Sequence, residues 1–305
     1  MKFEEYLDKI EKLEIQGAEQ IAKASMYALI SLIEENKDLN KEELINVLKK
    51  GRDLLLSTRP TEPAMKNALD YVFYNVNYKN VNNVELVKNF IERINHVLKH
   101  FEECDEIISN MGEKLIKNGY IVYTHCHSST VMKVLKKAKD RNKRFKVYVT
   151  ETRPHYQGRR TAIELNNYGI KVKYFVDSAA RIALKEADIM LIGADAITAD
   201  GKVINKIGSE MFAIIANKYD VPVYVCTNSW KFDPKSIFGY EIPIEEGKRN
   251  VFWEDGPKEI EIYDYLFEKI DPKYIRAIIS ELGIFPPEIF AEELKRNYIW
   301  MFKKI

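Results

Sequence analysis

From Gly119 onward the chain alternates two kinds of segment. Short β-branched or aromatic runs, YIVYT (120–124), KVYVTE (146–151), KVKYFVDS (171–178), DIMLIGAD (188–195) and VPVYVCT (221–227), are separated by VMKVLKKAKD, RTAIELNNYG, ARIALKEA and MFAIIANKYD. The runs are near-continuously apolar, as strands buried on both faces must be. The intervening stretches have helical period and the length of a right-handed crossover. This predicts an α/β fold whose 113–305 domain is a Rossmann-like, doubly wound parallel sheet. Ligands of such sheets bind beyond the carboxyl ends of the strands, so the residues just after each run are the first candidates for a site. Neither a Gly-x-Gly-x-x-Gly turn nor a Walker-A sequence is present, which removes the usual dinucleotide and nucleotide fingerprints.

Upstream, 1–112 reads as an all-α domain. Tyr6, Ile10 and Leu13 mark one helix, and Ile21, Met26, Leu29, Ile30 and Ile33 a second. A third covers Lys41 to Leu56, a fourth follows Pro63, and a long fifth runs from Asn83 towards Met111, with Gly17 and Gly51 as breaks. The tail from Tyr274 reads as a helix, a break at Gly283 and Pro286-Pro287, and a final helix.

The 47 Lys and Arg residues balance 46 Asp and Glu, a net charge of +1, which argues against nucleic acid or an anionic membrane as partner and leaves any polyanion site to local basic residues. The N-terminus carries acids from Glu4 and lacks the apolar core of a secretory signal, and no run approaches the ~18 apolar residues of a membrane span. Cys104, Cys126 and Cys226 are too scattered for a disulfide framework or a zinc pair, so a reducing cytoplasm is the expected compartment.

Chemistry-bearing residues collect at the strand ends. The first strand leads into Thr124-His125-Cys126-His127-Ser128-Ser129-Thr130 and then a helix. There hydroxyls and free backbone N–H groups either cap the helix alone or also cradle a phosphate. Cys126 beside a helix N-terminus is in a setting that lowers a thiol pKa, although a lone Cys also serves as a small buried hydrophobe; Cys104 and Cys226 are assigned to packing. His125 and His127 lack an obvious third metal ligand and are assigned to hydrogen bonding. After the fourth strand, Asp195 emerges from an apolar run, where desolvation raises a carboxyl pKa and suits a general acid. Asn205-Lys206 approaches another helix start, and Lys231 lies between Trp230 and Phe232. Arg59, in STRPT, and Arg153, in ETRP, supply guanidiniums suited to phosphate. Such a set without a cofactor motif points to acid/base chemistry on a phosphorylated metabolite.

The strings THCHSSTVMKVL, VTETRPHYQGR, DSAARIALKEAD, GADAITADGKVINKIGS and WKFDP, in this order and with IQGAEQIA and RPTEP upstream, resemble the archaeal ribose-1,5-bisphosphate isomerase family. That family is related to the methylthioribose-1-phosphate isomerases and to the regulatory subunits of translation initiation factor 2B. The resemblance implies conversion of α-D-ribose 1,5-bisphosphate to D-ribulose 1,5-bisphosphate through a cis-enolate, in nucleoside-monophosphate degradation. It makes Cys126 the proton acceptor and Asp195 the proton donor. Substrate would be held by Gln16, Gly17, Ala18, Glu19, Arg59, Ser128, Ser129, Thr130, Asn205, Lys206 and Lys231. No cofactor or metal is implied, AMP is a candidate activator, and the assembly is a homo-oligomer, dimeric at minimum and hexameric by resemblance. Alternatives are a non-catalytic regulatory subunit, disfavoured by Cys126 and Asp195, and a methylthioribose-1-phosphate isomerase, disfavoured by the HCHSS context. One departure stands out: the family's early loop reads Arg-Gly-Ala-Gly, whereas here it is Gln16-Gly17-Ala18-Glu19, which places a carboxylate near an expected phosphate. The apolar end Tyr298-Ile299-Trp300-Met301-Phe302 independently suggests a surface that a second copy covers.

Overall fold

A computed structural model describes residues 1–79, 81–247 and 249–303. The chain divides into two compact units. The first is helical: α1 (Phe3–Glu11), α2 (Ala18–Glu35), α3 (Lys41–Thr58), α4 (Pro63–Phe73) and the first part of α5 (Asn83–Gly112). Local chemistry sets these boundaries. Asn40 accepts the Glu43 N–H at 3.0 Å while the Glu43 carboxylate accepts the Asn40 N–H at 3.2 Å, a reciprocal cap for α3. Pro63 opens α4 at a position that needs no amide donor. Gly51 is not a break. It lies inside α3, where an added Cβ would sit 2.3 Å from Leu32 Cδ2 of α2, so the glycine permits close packing of the two helices.

This unit also contains Trp230–Phe232 and a C-terminal piece beginning at Lys295. Asn67 of α4 donates its side-chain amide to the carbonyls of both Trp230 and Phe232, at 2.7 Å each. The Trp300 ring packs edge-on against Tyr71 and Trp230, with centroids 5.3 and 5.1 Å away, and Trp300 and Met301 are buried. The apolar chain end is therefore covered mainly by its own unit, and it does not by itself call for a second copy.

The second unit is α/β. In chain order its elements are β1 (Ile121–Thr124), α6 (Ser129–Asp140), β2 (Lys146–Thr150), α7 (Gln157–Asn167), β3 (Lys171–Phe175), α8 (Ala180–Glu186) and β4 (Ile189–Ile192). There follow β5 (Ala196–Ile197), β6 (Val203–Lys206), α9 (Ser209–Lys218), β7 (Val223–Cys226), α10 (Arg249–Phe252), β8 (Phe267–Ile270), β9 (Ala277–Ser280) and β10 (Gly283–Phe285), after which α11 (Phe290–Asn297) leads out. The main sheet has the order β10-β9-β7-β4-β1-β2-β3, parallel throughout except for the antiparallel edge strand β10. The expected doubly wound fold is present, and its winding reverses at β1, which pairs with β2 on one side and β4 on the other. Val122 is in register with Val147 and with Ile189, and these side chains join Leu135, Leu191, Cys104 and Cys226 in the core under α6.

Two further readings change. The segment after Tyr274 opens with strands instead of a helix: Ala277, Ile278, Ile279 and Ser280 are all buried because β9 pairs with β7 inside the sheet. And β3 is not buried on both faces; it forms an edge, so Lys171, Lys173 and Tyr174 face solvent. A smaller antiparallel sheet, β5-β6-β8, carries the residues after β4. Among the described residues no helix is long and apolar enough to cross a membrane.

Candidate active site

The reversal of winding leaves a crevice beyond the carboxyl ends of β1 and β4, where open α/β sheets place their ligands. Cys126 follows β1 and Asp195 follows β4, so the topology puts the two residues at the two lips of that crevice. Contact between the two loops is close. An added Cβ on Gly193 would lie 2.6 Å from Ser128 Oγ, so only glycine lets the β4 exit pass against the β1 exit.

Cys126 is 9% exposed and adopts the left-handed conformation, φ 66°, which costs a non-glycine residue about 1 kcal/mol or more and persists only where surrounding bonds fix it. Its N–H donates to Thr152 Oγ1 at 3.0 Å, its carbonyl accepts from Thr161 Oγ1 at 2.7 Å, and its Sγ donates to Gln157 Oε1 at 3.2 Å. All three partners come from the end of β2 and from α7. None was singled out by sequence; Gln157 and Thr152 lie within the quoted string VTETRPHYQGR, yet nothing in their spacing shows that they return to a cysteine about 30 residues earlier. Ser128 caps α6 by accepting the Val131 N–H at 3.3 Å, Ser129 is the first residue of that helix, and Thr130 is buried behind it.

The Asp195 N–H donates to the Ile204 carbonyl at 2.8 Å, and Ala196 pairs with Ile204, so Asp195 starts a hairpin whose returning arm, β6, ends in Asn205 and Lys206. Both are buried. Asn205 Nδ2 donates to Ser209 Oγ at 2.9 Å, and the Lys206 ammonium stands 4.4 Å over the Phe267 ring. The α/β unit thus brings together Cys126, Ser128, Ser129, Thr130, Asp195, Asn205 and Lys206.

The other sequence candidates belong to the helical unit. Gln16 is exposed and donates to the Leu13 carbonyl at 2.9 Å, Gly17 has φ 90° at the start of α2, and Ala18 is buried. Glu19 is buried with its carboxylate 2.7 Å from Lys23, so it enters the loop as half of an ion pair instead of the uncompensated charge the sequence suggested. Arg59, at the end of α3, is buried and paired with Glu62 at 2.9 Å. Lys231, also buried, sits between the two carbonyls that Asn67 holds.

The electrostatics of Cys126 differ from expectation. Burial pushes the thiol up to about 11; Lys206 and the His127 backbone N–H pull it back only in part, and Asp195 and Asp177 push it further up. The resting group near neutrality is therefore a thiol donating to Gln157, not a preformed thiolate. Cys226, fully buried, is pushed to about 12 by desolvation alone, in keeping with a core role.

Burial also keeps the imidazoles neutral, with His125 and His127 lowered to about 4 and His100, in the helical unit, to about 3. His125 uses both ring nitrogens within the protein, on Thr150 Oγ1 and the Ile207 carbonyl, so neither faces a metal. Histidines in the unfolded chain take up protons near pH 6.5, whereas these stay neutral in the fold. Their contribution is thus complete above that pH and is lost as pH falls towards 4, at ~1.4 kcal/mol per pH unit for each of His100 and His125. Thermal melts should show a midpoint clearly lower at about pH 5 than at about pH 7.5. Equal midpoints would contradict neutral burial of these rings.

Comparison with known proteins matches residues 14–287 to the initiation factor 2 subunit family. A ribose 1,5-bisphosphate isomerase of Pyrococcus furiosus is 38% identical over 98% of this chain and 95% of its own length. A crystal structure of 5-methylthioribose 1-phosphate isomerase from Pyrococcus horikoshii is similar with a TM-score of 0.82 at 25% identity, covering 98% of this chain and 88% of that one. A Pyrococcus horikoshii translation initiation factor eIF-2B structure gives 0.81 at 30% identity, covering 93% of this chain and 97% of that one.

Proposed function

The chain belongs to the initiation factor 2 subunit family, and from that premise we propose that it is an aldose–ketose isomerase acting on α-D-ribose 1,5-bisphosphate to give D-ribulose 1,5-bisphosphate. The observation that carries this reading is the placement of Cys126 and Asp195 at the ends of β1 and β4, on either side of the point where the sheet reverses. Full-length identity to a ribose 1,5-bisphosphate isomerase supports the substrate.

In this mechanism Asp195, protonated, donates to the ring oxygen as the bond from that oxygen to carbon 1 breaks. Cys126, once deprotonated, takes the proton from carbon 2. The carbon 2 hydroxyl of the resulting enol gives its proton to the Asp195 carboxylate, leaving the cis-enolate, and the Cys126 thiol returns its proton to carbon 1 as carbon 2 becomes the ketone carbonyl. The electron pair of the broken carbon–hydrogen bond becomes the enolate π bond and then the new bond at carbon 1, so no electron leaves the substrate and no redox cofactor is needed. Lys206 and the first-turn N–H groups of α6 favour the negative charge that develops beside Cys126. Arg59 and Lys231 are the further cations assigned to the phosphates; pairing with Glu62 fixes the direction of the Arg59 guanidinium before substrate arrives, and Lys231 is buried. The Lys23 pair removes much of the repulsion that Glu19 would exert.

The same reading places the enzyme in nucleoside-monophosphate breakdown in the cytoplasm, with AMP as a candidate activator. It also includes a homo-oligomer, whose contact surface is better sought at the exposed aromatics Phe238, Tyr240 and Tyr263 than at the chain end. The test is direct. Purified protein given α-D-ribose 1,5-bisphosphate without added metal or nicotinamide should form the ketose, detected by proton NMR. Methylthioribose 1-phosphate offered in parallel should react far more slowly. Turnover of neither would reject the catalytic reading in favour of a regulatory subunit, while preference for the methylthio sugar would replace the substrate.

A further inference from the structure

His125 precedes Cys126, is 2% exposed, and each of its ring nitrogens is committed to a different loop of the site. Its Nε2 lies 2.9 Å from the Ile207 carbonyl. A carbonyl only accepts, so Nε2 carries the hydrogen and, in the neutral ring, Nδ1 is an acceptor. Nδ1 lies 2.9 Å from Thr150 Oγ1 and 3.3 Å from Thr152 Oγ1. Thr150 Oγ1 is in turn an acceptor for the Tyr123 hydroxyl at 3.3 Å, which frees its own hydrogen for the imidazole. Thr152 Oγ1 is the atom that accepts the Cys126 N–H and so holds its left-handed backbone. Ile207 directly follows Lys206. The edge-on Phe212 ring of α9, with its centroid 4.7 Å away, closes one side of the imidazole.

We propose that His125 is a positioning residue, an Nε2–H imidazole strut that fixes the Cys126 loop, the end of β2 and the Lys206 turn in one register. The proposal rests on the isomerase reading for its effect on turnover, but not for its effect on the thiol. A phenylalanine would fill the same volume and make neither bond. It would leave the Ile207 carbonyl without its donor, Thr150 Oγ1 without the imidazole nitrogen and Thr152 Oγ1 with only the Thr150 carbonyl to donate to, and it would release the turn that carries Lys206, which pulls the Cys126 thiol down. Two smaller changes separate the arms. The amide nitrogen of His125→Gln can reach the Ile207 carbonyl but does not replace Nδ1 beside Thr150 and Thr152, whereas the amide oxygen of His125→Asn replaces Nδ1 and leaves Ile207 unanswered.

The experiment measures three quantities on the full chain: turnover of the sugar bisphosphate, the iodoacetamide alkylation rate of the Cys126 peptide by mass spectrometry, and the imidazole nitrogen shifts of the wild type by NMR. His125→Phe should lose about 100-fold in kcat with a small change in KM, the scale expected when a reacting group is displaced by an ångström. His125→Gln and His125→Asn should each recover part of that loss. Cys126 alkylation should be slowed in the Phe and Asn variants, which free the Lys206 turn, and stay near wild type in the Gln variant. A folded His125→Phe with unchanged kcat and alkylation would overturn the proposal and leave His125 a packing residue. If that variant does not fold, the wild-type spectrum decides: an Nδ1–H tautomer or a charged ring at neutral pH overturns it, and an Nε2–H ring supports it. Inactive wild-type protein would reject the isomerase reading, while alkylation and tautomer would still decide the role of His125.

Discussion

Cys126→Ser is expected to lower turnover roughly 10³- to 10⁴-fold with little change in substrate affinity, because it removes the proton acceptor while keeping the shape of the loop. In heavy water the wild type should exchange the carbon 2 hydrogen during turnover, and the variant should not. Retention of native turnover and exchange by the serine variant would show that another group takes the proton. A second signature follows from burial. With its thiol pushed up to about 11, Cys126 is mostly protonated near neutrality, so the fraction able to act as base grows about tenfold per pH unit until that range is reached. The alkylation rate of wild-type Cys126 by iodoacetamide, which needs the thiolate but not a protonated Asp195, should accordingly climb through the neutral and mildly alkaline range. A profile flat from about pH 6.5 upwards would mean that the thiolate is already formed, as an unburied cysteine at a helix N-terminus would allow.

Asp195→Asn should reduce kcat by about 10² to 10⁴ while the dissociation constant for substrate changes less than tenfold, since the amide keeps the shape but has no transferable acid proton. The placement of Asp195 makes the comparison clean: its backbone N–H is tied to the Ile204 carbonyl by the hairpin, so the substitution leaves the loop anchored. Calorimetric titration of the variant distinguishes the roles. Affinity lost in proportion to rate would make Asp195 a binding group, and the proton donor would have to be another residue of the site.

The parallel strands were legible because each is a compact apolar run, and the order in which they occur already places Cys126 and Asp195 at strand ends. The β9 segment was not legible as a strand. Ala277, Ile278, Ile279 and Leu282 also fit a helical stripe, no turn residue separates them from Tyr274, and only pairing with β7 decides the matter. The cations and the helix start beside Cys126 could be read from sequence, but the sign of the thiol shift could not. It depends on how fully the sulfur is enclosed, and part of that enclosure comes from Thr152, Gln157 and Thr161, which reach it only after a complete βα crossover. Glu19 misled for a related reason. Its charge was visible, whereas its pairing with Lys23, one helical turn on, was overlooked. The chain end invited an interface because its apolar residues are contiguous in sequence; in the fold they meet Tyr71, Trp230 and Phe232.

The composition of the helical unit has a consequence for synthesis on the ribosome. Its helices leave the exit tunnel before the α/β unit, but its packing includes Trp230–Phe232 and residues from Lys295 onward, which are made after most or all of that unit. Until these segments have been made, α4 lacks the Trp300 ring against Tyr71, and Asn67 lacks the two carbonyls it joins. Contacts of such long sequence separation form slowly, and an intermediate that lacks them exposes apolar surface. The helical unit therefore closes only after the α/β unit that interrupts its sequence has been made, and the surroundings of Lys231 are complete only once the Trp300 segment has left the ribosome.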